Sequence, residues 1–243
     1  MSMDAARISK ALGLANVEFR EEVASTQDVA RALHVQPPYL VCASEQSAGK
    51  GRLGRRWQSD KGGLYFTLVL QRQKQDWAVP LVSAYALWTQ LSSKVSSLDL
   101  KWPNDLYAEE KKLAGVMVEG WDDRLGIGVG LNVNQQGFEG SLASSAVSLR
   151  MLAGAEFDLE VLLISIVSGM LKAMDELGNH GFRFFQPALR RVLLASDQPV
   201  KVTRANRVCK GRLIDLGPSG EALIQSSEGE LFTVPAQHLL EAR

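Results

Sequence analysis

Apolar and polar positions alternate with two different periods along this chain, and the periods divide it into elements. A weak helical pattern runs through Ile8, Leu12 and Leu14 within a short, mixed opening of 24 residues before Ser25. Val29, Ala30 and Leu33 then share one helical face, and Ser25 or Thr26 is placed to cap that helix. Pro37-Pro38 ends it, and Tyr39-Leu-Val-Cys-Ala43 reads as a short buried strand. Leu64-Tyr-Phe-Thr-Leu-Val-Leu70, aromatic and β-branched, is a second strand. From Val79 to Val95 the residues Leu81, Val82, Tyr85, Trp88, Leu91 and Val95 fall at helical spacing, which predicts an amphipathic helix on a sheet with Trp88 in the core.

Leu98–Trp102 is another strand, stopped by Pro103-Asn104-Asp105. Leu106–Ala108 and Leu113–Glu119 read as a hairpin with Glu109, Glu110, Lys111 and Lys112 at or near its tip. Arg124–Val133 is a strand containing Gly126, Gly128 and Gly130, which predicts close approach of a ligand or another strand to its backbone. Residues 135–155 read as loop and short helix, followed by helices over Leu159–Leu177 and Phe182–Leu194. From Pro199 onward the pattern changes to four short strands (Val200–Thr203, Cys209–Ile214, Glu221–Gln225 and Leu231–Val234), with turns at Gly217–Gly220 and Ser226–Gly229. These describe a small barrel, with a boundary near Ala195–Gln198.

The 243 residues suit one large domain, or one of ordinary size with a small appendage. Lysine and arginine total 27, as do aspartate and glutamate, so no overall cationic field exists to draw in nucleic acid or an anionic membrane. Cys42 and Cys209 have neither metal-site nor disulfide-framework spacing, which predicts a reducing cytoplasm. The opening residues lack an apolar signal-peptide core, and no apolar run is long enough to span a bilayer.

Positive potential is therefore local, and it concentrates in Gly49-Lys-Gly-Arg-Leu-Gly-Arg-Arg-Trp57. Glycines that free the backbone and cations that add charge make this stretch a candidate cradle for phosphate or carboxylate. Its G-x-G-x-x-G spelling matches the dinucleotide fingerprint. However, no apolar helix opens at Gly54, so that reading fails on context. Walker A, Cys-x-x-Cys, His-x-x-x-His and nucleophile-elbow patterns are absent, and His34, His180 and His238 are scattered. The remaining parts suit the positioning and electrostatic stabilisation of anions.

The same loop resembles the Gly-Arg-Gly-Arg-x-Gly-Arg-x-Trp loop of biotin protein ligases. Lys101-Trp-Pro-Asn-Asp105 matches that family's characteristic pentapeptide, Lys112-Leu-Ala-Gly115 its Lys-x-x-Gly element, and Ser25-Thr26 its Ser-Thr-Asn start. Order and spacing agree across residues 25–134. The resemblance implies an α+β fold: a mixed β-sheet flanked by helices, of class II synthetase-like type, over residues 1–196. A small SH3-like β-barrel would follow over residues 197–243.

It also implies a two-step reaction. Biotin and ATP give biotinyl-5′-AMP, with Mg²⁺ on the triphosphate, and biotin then passes to a lysine of the biotin carboxyl carrier protein of acetyl-CoA carboxylase. By the same resemblance Arg52, Arg55, Lys112 and Asp105 are the catalytic group. Ser25, Thr26, Gln46, Gly49, Lys50, Gly51, Arg52, Lys112 and Gly115 surround biotin, while Arg55, Trp57 and Asn132 hold the nucleotide. Metal ligands are left unassigned, and a homodimer is compatible with the family.

Two positions depart from the pattern: Gln27 stands where Asn is usual, and Lys50 where Arg is usual. Only 24 residues precede Ser25, too few for the winged helix of members that also repress transcription. A lipoate or octanoyl transferase is disfavoured by Lys101–Asp105. A non-catalytic biotin-binding module would not need Arg52, Arg55 and Lys112 together.

Overall fold

The computed structural model describes residues 3–195, 200–204, 207–235 and 241–242. The elements in chain order are α1 (Ala5–Leu12), β1 (Asn16–Val23), α2 (Thr26–Ala32), β2 (Tyr39–Gln46), β3 (Leu64–Gln71) and α3 (Val79–Leu91). They continue with β4 (Asp99–Lys101), β5 (Asp105–Ala108), β6 (Lys111–Trp121), β7 (Arg124–Leu131), α4 (Leu149–Ala153), α5 (Leu159–His180) and α6 (Phe182–Ala195). The last strands are β8 (Val200–Arg204), β9 (Arg207–Leu216), β10 (Ala222–Ser226), β11 (Leu231–Val234) and β12 (Glu241–Ala242).

Seven strands of one eight-stranded mixed sheet follow the order β1-β2-β3-β7-β6-β5-β4, with β12 off this path, as the α+β expectation required. β1 and β2 run parallel, and the other neighbours on this path are antiparallel. β5 covers only the first part of β6, and β12 pairs parallel with its later part at Glu119 and Gly120.

The two faces of the sheet are used differently. Leu64, Phe66 and Leu68 of β3, Val116 and Val118 of β6, and Leu125, Ile127 and Val129 of β7 face the main core with α3 and α5. On the other face Ala30 of α2 packs with Tyr39, Val41, Val69 and Trp121 in a small second core. α2 covers only part of that face, and the uncovered remainder is the floor of a cleft.

Most predicted elements are present, with two corrections. The opening 24 residues hold β1 as well as a helix; β1 is an edge strand, largely exposed and rich in charge, so it lacks an apolar run. The helix over Val79–Val95 ends at Leu91 and is not amphipathic. Its residues from Val79 to Ala84 are all buried, because it lies between the sheet and α5. Trp88 is half-buried and donates through Nε1 to the Leu98 carbonyl at 2.9 Å.

The C-terminal strands form a four-stranded antiparallel sheet, β11-β10-β9-β8, among the described residues. α6 packs on it, and Arg190 pairs with Asp215 at 2.6 Å. Residues 196–198 of the expected domain boundary lie outside the described residues, as does His238. No helix among the described residues is long and apolar enough to cross a membrane.

Candidate active site

Strand register sets the floor of the cleft. Asp105, Gly115, Gly130 and Tyr65 lie directly across from one another on β5, β6, β7 and β3, and the next row carries Met117, Gly128 and Thr67. Opposed residues point to the same face. Above these rows is a cavity of about 670 Å³, a size typical of small-molecule sites. Lys50, Arg52, Arg55, Arg56 and Lys112 line it against the carboxylates Asp60 and Asp105. Such an excess of cations in a concave site favours an anionic ligand.

Lys112 reaches the cleft through a β-bulge. In a regular strand Lys112 and Gly115, three residues apart, would face opposite sides. Here Tyr107 opposes Lys112 while Leu106 opposes Ala114, so Leu113 is the extra residue of β6. Leu113 and Ala114 both turn into the core, and Lys112 joins Gly115 on the cleft face. Its Nζ lies 2.7 Å from Asp105 Oδ2 and 5.3 Å from the centroid of the Trp57 ring. A Cβ added to Gly115 would sit 3.1 Å from Asp105 Oδ1, 3.4 Å from Lys112 Cε and 3.4 Å from Trp57 Cζ3. Gly115 is thus the point where the three side chains converge.

The glycines of β7 serve the same floor. A Cβ on Gly130 would meet Trp57 Nε1 and Cε2 at 2.4 Å, and one on Gly128 would meet Gln27 Nε2 at 2.8 Å. Gly126 faces Trp121 and Gln27 as closely. The predicted close approach is therefore made by side chains of this protein packed against the strand.

The polar end of the cleft is built by the start of α2. Ser25 occupies the N-cap position in extended backbone, yet its side chain makes no capping bond, unlike Asp158 at α5 or Ser148 at α4. It is buried at the cavity wall. Thr26 Oγ1 donates to Gln46 Oε1 at 3.2 Å and accepts from Thr67 Oγ1 at 2.9 Å, while the Thr26 backbone N–H also donates to Gln46 Oε1 at 2.9 Å. Gln46 Nε2 donates to Ser59 Oγ at 2.8 Å. These bonds fix the orientation of the Gln46 amide.

Gln27, the first departure from the family pattern, spends its extra methylene reaching across β7. Its Nε2 donates to the carbonyls of Met117 (3.4 Å) and Gly126 (3.3 Å), and its buried Oε1 is left without a partner.

The glycine-rich loop is a short hairpin. Trp57 N–H donates to Gly49 O at 2.9 Å, Gly51 N–H to Arg55 O at 2.7 Å, and a 3-10 turn over Arg52–Gly54 closes the tip. Gly49 lies at the base of the hairpin and not in the cavity wall: a Cβ there would be 2.5 Å from the Trp57 carbonyl. Lys50, the second departure, pairs with Asp28. Arg52 Nη1 donates to Asn104 Oδ1 at 3.3 Å, and Arg55 Nε to the Arg52 carbonyl at 3.2 Å.

Asn132 is buried where β7 ends. Its Nδ2 donates to Val147 O (3.1 Å) and Lys112 O (3.3 Å), which leaves Oδ1 as the atom able to meet a ligand.

Every residue that the resemblance assigns to catalysis, biotin or nucleotide, except Gly49, thus lines one cavity. Sequence reasoning did not select Tyr107, Gln135 or Phe138, which line it too, and took Asn104 for a turn former alone. Tyr107 could have been found from the period-2 spacing to Asp105. Burial, with the nearby Asp105 charge adding to it, raises the Tyr107 phenol above its usual range. Phe138 sits in a loop with no pattern to mark it.

Residues 21–135 match the Biotin/lipoate A/B protein ligase family. The structure of the biotin protein ligase from Aquifex aeolicus in complex with biotin and ATP superposes with a TM-score of 0.81 at 30% identity, covering 91% of this chain and 96% of that one. The biotin--[acetyl-CoA-carboxylase] ligase of Paracoccus denitrificans is 28% identical over 214 residues, 77% of this chain and 88% of that protein. The bifunctional ligase/repressor BirA of Bacillus subtilis is 28% identical over 226 residues, 87% of this chain and 70% of that protein. The chain belongs to the biotin protein ligase family.

Proposed function

We propose that this protein is an ATP-dependent biotin ligase that makes biotinyl-5′-AMP and passes biotin to a lysine of the biotin carboxyl carrier protein of acetyl-CoA carboxylase. The observation that carries this reading is the convergence of Asp105, Lys112 and Trp57 over Gly115 in a cation-lined cleft. In the first step a carboxylate oxygen of biotin attacks the α-phosphorus of ATP; the bond to the β-phosphate oxygen breaks and pyrophosphate leaves. Two anions must meet, so fixed positive charge at the junction lowers the barrier. Lys112, Arg52 and Arg55 provide it. In the second step the acceptor amine attacks the acyl carbon, loses a proton, and AMP leaves.

Ser25, Thr26 and Gln46 supply bonds to the ureido ring, with Thr26 and Gln46 already fixed by the Thr67 and Ser59 contacts. Gly115 admits the ligand close to the backbone, and Lys50 and Gly51 place the hairpin above it. Trp57 and Asn132 border the nucleotide. Mg²⁺ comes as part of the ATP substrate. Among the described residues no group of three His, Cys, Asp or Glu could cage a metal, and a triphosphate-borne Mg²⁺ needs only a carboxylate such as Asp105. A cytoplasmic location is supported by Cys42, which is buried as a free thiol. We assign residues 1–196 to the catalytic domain and 197–243 to an SH3-like domain, supported by the change from the mixed sheet to the separate antiparallel one.

Purified protein with ATP, Mg²⁺ and biotin is expected to release pyrophosphate and to biotinylate a carrier domain, and lipoate is expected not to replace biotin. Absence of both activities with biotin would sink the reading.

A further inference from the structure

The hairpin over Gly49–Trp57 is tied to both walls of the cleft. At its base Trp57 N–H bonds to Gly49 O, and Arg56 Nη2 donates to Ser47 O at 2.8 Å. Toward the β4–β5 turn, Arg52 holds Asn104. Toward α2, Lys50 pairs with Asp28. Asp28 lies in the first turn of α2, two residues after Thr26, and is absent from the cavity wall. It therefore touches the hairpin without touching the ligand space. Severing the Lys50–Asp28 tie would loosen the α2 side of the strap while leaving the floor of the cleft as it is.

We propose that Asp28 is a positioning residue that acts through Lys50 as the α2-side latch of this strap, and so sets how often the acyl-adenylate escapes before it is transferred. The proposal rests on the ligase reading above and deepens it. An acyl-adenylate exposed to water is lost by hydrolysis, so a covering segment must stay shut between two chemical steps. The pair suits a latch better than a rigid strut. Its side chains are 24% and 48% exposed, so it is weak enough to open for an incoming acceptor and is screened by salt.

The test compares wild type, Asp28→Asn and Asp28→Glu, each given ATP, Mg²⁺ and biotin. Pyrophosphate formation, free biotinyl-adenylate in an ultrafiltrate and transfer to a carrier domain are followed separately. Asp28→Asn is expected to form pyrophosphate in its first turnover at a rate within about twofold of wild type while the escaped adenylate rises about two- to fivefold, the effect of a partly exposed ion pair. Asp28→Glu keeps the charge and is expected to restore retention. Raising salt is expected to increase escape from the wild type and to leave Asp28→Asn unchanged. Lys50→Ala combined with Asp28→Asn is expected to leak no more than Lys50→Ala alone, because the two act as one unit.

An unchanged escape fraction in Asp28→Asn overturns the latch. So does a loss of pyrophosphate formation equal to the loss of transfer, which is what a merely structural role would give. Wild type that makes no pyrophosphate from biotin and ATP removes the ligase reading itself, and that result is seen before any variant is compared.

Discussion

Asp105 Oδ2 lies 2.7 Å from Lys112 Nζ because a bulge at Leu113 turns Lys112 onto the same face of the sheet as Asp105. The pair holds the Lys112 side chain beside Gly115, on the wall of the cavity. In the proposed reaction the carboxylate and phosphate anions of the first step would compete with Asp105 for this cation. Lys112→Ala is expected to lower the pyrophosphate release rate by about 10²–10³-fold, the usual consequence of removing a group that stabilises developing charge. Lys112→Arg is expected to recover little, since a planar fork replaces a compact point charge. Single-turnover assays at saturating biotin and ATP decide it; near-normal rates for Lys112→Ala would remove Lys112 from the chemistry.

Trp57 rests on Gly130 so closely that any side chain there must displace the indole. Backbone on the floor of the sheet is fixed by pairing to β3 and β6, so the ring is what moves. Gly130→Ala is therefore expected to weaken ligand binding roughly 5- to 100-fold, the equivalent of a typical overpacking cost. The sheet should survive, as read by far-ultraviolet circular dichroism. Calorimetric titration with biotin and with ATP provides the affinities, and unchanged binding of both would show that the position of Trp57 has no bearing on the site.

What the sequence revealed follows the physics of each segment. Leu64–Leu70 was legible because Leu64–Val69 are buried on both sides, and a strand of that kind is an apolar run. β1 was not, because an edge strand carries Glu18, Arg20, Glu21 and Glu22 and has no apolar face to announce it. α3 misled through its apparent stripe, since packing between sheet and α5 removes any polar side. At the site, Lys112 and Gly115 were selected as a motif, but period-2 reasoning would have put them on opposite faces. Only the bulge at Leu113 reconciles them. The three glycines of β7 signalled close approach correctly, yet which group approached was unreadable, because Gln27 and Trp57 come from segments about 100 and 70 residues away.

Gln27 and Gly128 form a pair in which each explains the other. The Gln27 amide lies where a Cβ of residue 128 would be, with Nε2, Cδ and Cγ all within 3.4 Å of that point. Gly128→Ala is expected to destabilise the protein by about 1–3 kcal/mol. Gln27→Asn shortens the arm, gives up the bonds to Met117 O and Gly126 O, and is expected to cost about 1–2 kcal/mol alone. Combined, the shorter amide makes room for the methyl, so the double variant should be less destabilised than the sum. Urea midpoints for the four proteins close the cycle. Strict additivity would mean that the contact carries no energy.

Alkaline stability follows from acids raised by burial, among them three that are wholly enclosed: Cys42, Tyr39 and Tyr65. Burial pushes the Cys42 thiol up to about 12 from its ordinary 9.0, and raises Tyr39 and Tyr65 above 10.0. Cys42 is fully buried, and its Sγ lies 3.6 Å from the Glu18 carbonyl, to which it donates. Between pH 9 and 12 the unfolded chain has released this proton while the folded chain keeps it. The folded state then binds more protons, so stability falls as pH rises through that window, by up to about 1.4 kcal/mol per pH unit for each such group. The tyrosines act in the same direction above pH 10. Urea midpoints are therefore expected to drop steadily from pH 8 to 10.5. Cys42→Val removes the group with the lowest ordinary pKa among these, and its curve should be flatter than that of wild type between pH 9 and 10. Parallel curves for the two proteins would show that Cys42 is not held as a thiol by burial.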